Sequence, residues 1–245
     1  MMVIKTILSS LQNGVRSLRS SQRGVTLTEL SVSVSIISLM VAGSFGGLSM
    51  LKAAKIRKAV SEFTTYMSAI NEFQSEYGYL PGDLPTASDY WTGAHNGDGN
   101  SLVDSTNEDL YAWEHLGKSA LITGTYTGAV SGTRYAAGVN SINSEPFTIG
   151  VFSFYAYQTL IYNTAGHALR LGSITSGWPT AGFMLAKDAY AIDAKIDDGL
   201  AANGMFYAAR GAAGSSNNCV TDTTNLYNPS DTSETCTLYY WQRKF

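Results

Sequence analysis

Glu29 is the residue whose position most demands an explanation in this 245-residue chain. After it come 22 residues, 30–51, with no ionisable side chain, and Lys52 closes the run. A carboxylate at the edge of such an apolar stretch calls for a cation or water to meet it. Two cysteines, Cys219 and Cys236, lie far downstream with no histidine near them. An even pair beyond a membrane segment reads as one disulfide closing a short loop, not as a metal site. Two acidic stretches carry hard oxygen donors suited to calcium. In NGDGNSLVDSTNED, Asn96, Asp98 and Asn100 fall at positions 1, 3 and 5 of a calcium loop and Asp104 at position 9. Ser101 stands where that loop needs Gly, and Asn107 where it needs a bidentate Glu, so a solvated Gly-Asp-Gly turn competes with weak calcium binding. In DAKIDDGLAANG, Asp193, Asp197 and Asp198 gather before Gly199, with Lys195 close enough to neutralise them instead.

Catalytic chemistry finds no support. His95, His115 and His167 show no metal spacing and read as surface or packing residues. The Gly-rich runs lack the Lys-Ser/Thr of a phosphate loop, and no Gly-x-Ser-x-Gly nucleophile turn occurs.

The element that positions Glu29 is a helix. At 1.5 Å per residue the uncharged run spans about 33 Å, enough to cross a hydrocarbon core of about 30 Å. Lys5, Arg16, Arg19 and Arg23 precede it without any acid, which fits retention of that end on the cytoplasmic side. A secretory signal cut near Ala42-Gly43-Ser44 is the competing reading, but the apolar pattern continues past Ser44 and Glu29 then has no role.

The segment GVTLTELSVSVSIISLMVAGSFGGLSML resembles the amino-terminal signal of type IV pilins and type II secretion pseudopilins. The resemblance makes Gly24 the last leader residue, Val25 the new and methylated terminus, and Glu29 the acid that pairs with a neighbouring subunit's amino group. Val25 stands where Phe or Met is commoner, Thr28 where Ile or Leu is usual, and Ser31, Ser33 and Ser35 lower the hydropathy. Gly43, Gly46 and Gly47 interrupt the run near a position where many pilins carry Pro. They suit either bending during assembly or close helix–helix packing.

Past Lys52, residues Ile56, Val60, Phe63, Met67, Ile70 and Tyr77 recur at helical spacing with Phe73 on the same side. No Pro interrupts residues 25–80, so a single helix of about 50 residues is expected, with Gly78 as its cap and Pro81 as a stop. A short helix is expected at 107–121, capped by Asn107, and another at 186–197. Strands are expected at 147–162, 180–185, 205–210 and 237–241. The fold class is α+β: a long N-terminal helix packed on a small antiparallel sheet, pilin-like. Its organisation reads as a leader at 1–24, a transmembrane and filament-core helix at 25–52, an amphipathic continuation at 53–78 and a globular head at 79–245.

Removing the leader takes the formal net charge from −3 to −7, so no nucleic-acid partner is expected. Most of the 15 tyrosines read as core fillers, although exposed aromatics also suit an adhesive surface. The resemblance implies a non-enzymatic filament subunit, held in the bacterial inner membrane by one pass before assembly and moved to the periplasm or cell surface afterwards. It implies sibling pilin subunits, a prepilin peptidase, an assembly platform and an ATPase as partners. No cofactor is required, and calcium is the one ion the acidic loops suit. Pilus subunit, secretion pseudopilin and a non-polymerising adhesin or calcium-binding domain all stay open at this point.

Overall fold

A computed structural model describes residues 24–104, 106–130, 132, 134–161, 164–210, 219–221 and 226–242. Residues 1–23 of the 1–24 leader, with its four cations, lie outside them, as does Tyr162. The chain divides into two units, one ending at Leu51 and the other beginning at Lys52.

Helix α1, Leu27–Tyr77, contributes to both units. In the first unit the described side chains are all exposed, among them Val32 57%, Leu39 74% and Met50 75%. The helix runs unbroken through Gly43, Gly46 and Gly47. By length and composition it is apolar enough to cross a membrane. Its serines do not oppose that. Ser33, Ser35, Ser38 and Ser44 each donate to the carbonyl four residues back at 2.7–2.8 Å, so their hydroxyls are satisfied within the helix.

In the second unit the rest of α1 becomes a core element. Ile56, Ala59, Phe63, Met67, Ile70 and Phe73 are buried, a stripe at spacings of three and four. Val60 and Tyr77 are only half-buried at its margin, and the small Ala59 takes the inward position. Gly78 ends the helix at φ 75°, its N–H donating to the Gln74 carbonyl.

The sheet is antiparallel and five-stranded. It comprises β1 (Gly150–Ile161), β2 (Thr164–Thr175), β3 (Trp178–Ala181), β4 (Phe206–Arg210) and β5 (Cys236–Trp241), in the order β1-β2-β5-β4 with β3 on β2. The structure is thus α+β, a long helix followed by a small antiparallel sheet. It differs from expectation in β2, which the sequence did not announce, and in β3, which starts at Trp178 and stops four residues earlier than expected. Alternation sorts the side chains. Phe152, Phe154, Leu169, Leu171, Phe206 and Leu238 join the α1 stripe in one core, while Tyr207, Tyr239, Trp241 and Ala168 cluster separately.

Three shorter helices complete the second unit: α2 (Ala87–Tyr90), α3 (Glu108–Lys118) and α4 (Ala186–Ile196). Asn107 precedes α3 as expected but does not cap it with its side chain. It sits at φ 91°, and its Oδ1 instead accepts from Arg134 at 3.1 Å. Of the tyrosines whose side chains are described, only Tyr79, Tyr90 and Tyr190 are exposed.

Candidate functional site

The start of α1 is organised by Thr26 and Glu29. Glu29 Oε2 accepts from the Thr26 backbone N–H at 2.9 Å and from its hydroxyl at 2.8 Å, and the Glu29 N–H donates back to Thr26 Oγ1 at 3.2 Å. This reciprocal pair is a capping box, which satisfies two of the orphan donors at a helix N-terminus. Glu29 in the single chain therefore already has partners. Thr26 was legible as the first residue of a Thr-x-x-Glu pattern, a signal the reading of Glu29 as a membrane-edge acid passes over. Gly24 and Val25 lie just ahead, both exposed, with free space around the position a Gly24 Cβ would occupy. Among the described residues nothing packs on that Gly24 position.

Cys219 and Cys236 are joined by a disulfide across a sequence separation of 17, and both residues are buried. The bond fastens the segment around Val220 to β5, where Cys236 also exchanges backbone hydrogen bonds with Phe183 and Met184. Replacing both cysteines with serine is expected to remove about 3 kcal/mol of stability, read as a lower urea midpoint. An unchanged midpoint would mean the loop is held by its hydrogen bonds alone.

The two acidic stretches fold differently from one another. Asp193, Asp197 and Asp198 do not converge. Asp193 is buried and accepts from the Tyr227 hydroxyl at 2.7 Å and the Gly199 N–H at 3.2 Å. Burial pushes its carboxyl up to about 6. Asp197 takes the N–H groups of Met205 and Phe206, and Asp198 takes those of Leu200 and the Asn203 side chain. Each acid works as a turn acceptor.

In the first stretch the sequence pairing of Asp98 with Asn100 survives only as a local turn, Asn100 donating to both Asp98 oxygens at 3.0 and 2.8 Å. Its own Oδ1 accepts from the Leu102 N–H. Across the fold, Asp98 meets Asp83 and Glu108, one oxygen of each within 4.8 Å of the others. Asp83 and Glu108 both lie outside the 96–107 spacing that pointed to calcium. Gly82 and Gly97 make the encounter possible. A Cβ on Gly82 would meet the Glu108 carbonyl oxygen at 2.2 Å, and one on Gly97 would meet the Gly82 carbonyl oxygen at 2.3 Å. Burial pushes Asp83 up to about 6 and Glu108 up to about 7.

The remaining buried polar groups hold the head together. His115 accepts from the Gly82 N–H at Nδ1, 2.9 Å, and donates from Nε2 to the His95 carbonyl, 2.8 Å; burial lowers its pKa and keeps it neutral. His167 is used likewise, its Nε2 accepting from the Val103 N–H at 3.0 Å. Asp109 is bound by Arg134 at 2.5 Å and by the Tyr135 hydroxyl, while Arg134 also lies 4.5 Å over the Trp178 ring.

Against known proteins, the description "Prokaryotic N-terminal methylation motif" matches residues 19–45. No curated protein and no solved structure matches the chain. The matched residues bracket the Gly24–Val25 junction and the Thr26–Glu29 box and extend into the exposed apolar part of α1. Such a motif implies processing by a prepilin peptidase and assembly with sibling subunits, and it fits membrane anchoring before assembly. The motif sits on a long helix followed in the chain by an antiparallel sheet, and the chain thus carries the prepilin-type signature of type IV pilins and pseudopilins.

Proposed function

We propose that the chain is a structural subunit of a type IV pilus or pilus-like filament, cleaved after Gly24, methylated on Val25 and polymerised through the apolar part of α1. The observation that carries this reading is the methylation motif lying on a helix whose described apolar side chains from Leu27 to Leu51 are exposed among the described residues. A solitary subunit hides that surface in lipid; an assembled one hides it against copies of itself or sibling pilins. Glu29 supplies register, because a carboxylate among apolar helices is tolerated only beside a cation, and a neighbour's Val25 ammonium is the cation the motif creates. The partners this requires are the prepilin peptidase, an inner-membrane assembly platform and its ATPase. The head contributes structure and surface, not catalysis, and the filament lies in the periplasm or on the cell surface.

The mass of the mature protein tests the first step. It is expected to begin at Val25 with one added methyl group. A chain that still begins at Met1, or that starts beside Gly46, would overturn the proposal. Recovery of a Val25 terminus with no subunit in any sheared filament fraction would instead favour a membrane-anchored protein that never polymerises.

A further inference from the structure

We propose that Asp83, Asp98 and Glu108 form a calcium site that ties the turn after α1 to the first turn of α3. The inference concerns the head alone and does not rest on the filament reading. One oxygen from each carboxylate lies within 4.8 Å of the other two. That is the separation of two ligands about 2.4 Å from one ion on opposite sides, the middle of the calcium–oxygen range. The three groups bring up to three negative charges together, and among the described residues no Lys or Arg forms an ion pair with any of them.

A second observation separates this trio from an ordinary acidic patch. Asp83 is only 1% exposed, and its Oδ1 is buried without a hydrogen-bond partner. Its Oδ2 accepts from the Ser101 N–H at 3.0 Å, which orients the group and leaves the second oxygen unsatisfied. A buried carboxylate oxygen without a partner is destabilising by a few kcal/mol, and a cation is the group that relieves both the missing bond and the charge. Glu108, 2% exposed, is fixed in the same way, its oxygens accepting from the Asp98 N–H at 2.9 Å and the Asp104 N–H at 3.3 Å. Asp98 is exposed and closes the solvent side. Two rigid buried ligands and one exposed ligand on a glycine-rich loop give an irregular oxygen cage. Calcium accepts such a cage with 6–8 ligands, water and backbone carbonyls completing the set, whereas magnesium demands near-ideal octahedral geometry and sheds water reluctantly.

The test uses the full mature chain in detergent. Calorimetric titration with calcium chloride is expected to show one site, and at calcium a hundredfold above its dissociation constant the unfolding midpoint is expected to rise roughly 5–10 °C over that in chelator. Magnesium chloride at the same concentration is expected to give less than a third of that rise. Asp98→Asn, at an exposed position, is expected to keep the midpoint seen in chelator and to lower calcium affinity at least tenfold; Glu108→Gln is expected to abolish binding. Asp197→Asn is expected to bind as the natural chain does. No heat on titration with identical midpoints, an equal response to magnesium, or calcium binding lost in Asp197→Asn but kept in Asp98→Asn would each overturn the site.

Discussion

Glu29→Val is expected to remove the chain from filaments while leaving it in the membrane. Valine is no obstacle to insertion, since it converts the edge of the apolar run into more of the same. What it deletes is the one carboxylate in the segment between Gly24 and Lys52. If each subunit's Glu29 meets a neighbour's Val25 ammonium out of water, losing one partner strands the other, a penalty of about 3–5 kcal/mol at every subunit contact. That corresponds to a drop in subunit affinity of a hundredfold or more. The capping box complicates the reading, because Glu29 also closes the start of its own helix through Thr26. Loss of a cap is worth only about 1 kcal/mol, and Glu29→Gln separates the two roles. Glutamine completes a capping box as glutamate does but carries no charge. Glu29→Gln is therefore expected to fail in assembly almost as completely as Glu29→Val. Immunoblots of sheared-filament and membrane fractions read the result directly. Normal incorporation of the Gln variant would reduce Glu29 to a helix cap and remove the register argument.

On the proposed filament reading, the capping box also sets how assembly proceeds. Its Oε2 already holds two Thr26 donors, so a partner ammonium has to share or displace them. The gain on assembly is then the difference between a carboxylate–ammonium pair in a dry interface and two hydrogen bonds from uncharged Thr26 donors to the same carboxylate at an exposed helix end, and the first is the larger. The exposed, unhindered Gly43 and Gly47 act in the same direction, since nothing lies within 4 Å of where a Cβ would stand on either. A neighbouring helix can close on those positions.

Where a local physical rule governs, the sequence is informative. Helix α1 was legible end to end because spacing, absence of Pro and the Gly78–Pro81 stop agree. Strand β2 was not, and the reason lies in its residues. TAGHALRLGSIT contains two glycines and few β-branched side chains, and Ala168, Leu169, Arg170 and Leu171 are all buried. Covered on both faces, the strand shows no alternation to read. Gly172 is there because the Pro179 carbonyl oxygen would sit 2.2 Å from a Cβ, a constraint visible only once β3 has folded across it. The acidic trio was hidden for a related reason. Asp98 was identified from its loop, but its partners come from a turn and a helix whose approach depends on Gly82, Gly97 and the neutral His115 beneath them. Spacing along one loop proposed Asn100 as a ligand; packing across three segments supplied Asp83 and Glu108.

Phe63→Ala is expected to cost the head about 3–5 kcal/mol, the largest stability effect of any single truncation along α1. The ring is fully buried, and it meets Phe152 at 5.2 Å and Phe206 at 5.0 Å between centroids, both edge-on, with Tyr240 at 6.4 Å. Phe152 belongs to β1 and Phe206 to β4, the two ends of the strand path, so one side chain touches both margins of the sheet. Truncation leaves a cavity that rigid strands on either side cannot close. In a domain of this size that loss lowers the unfolding midpoint by roughly 6–20 °C. The same helix supplies the control. Met50→Ala, at a position 75% exposed in the first unit, is expected to leave the midpoint of the head unchanged. A loss below about 1 kcal/mol for Phe63→Ala would mean that the sheet folds without α1. The helix would then be an anchor attached to a domain, not the spine on which that domain is built.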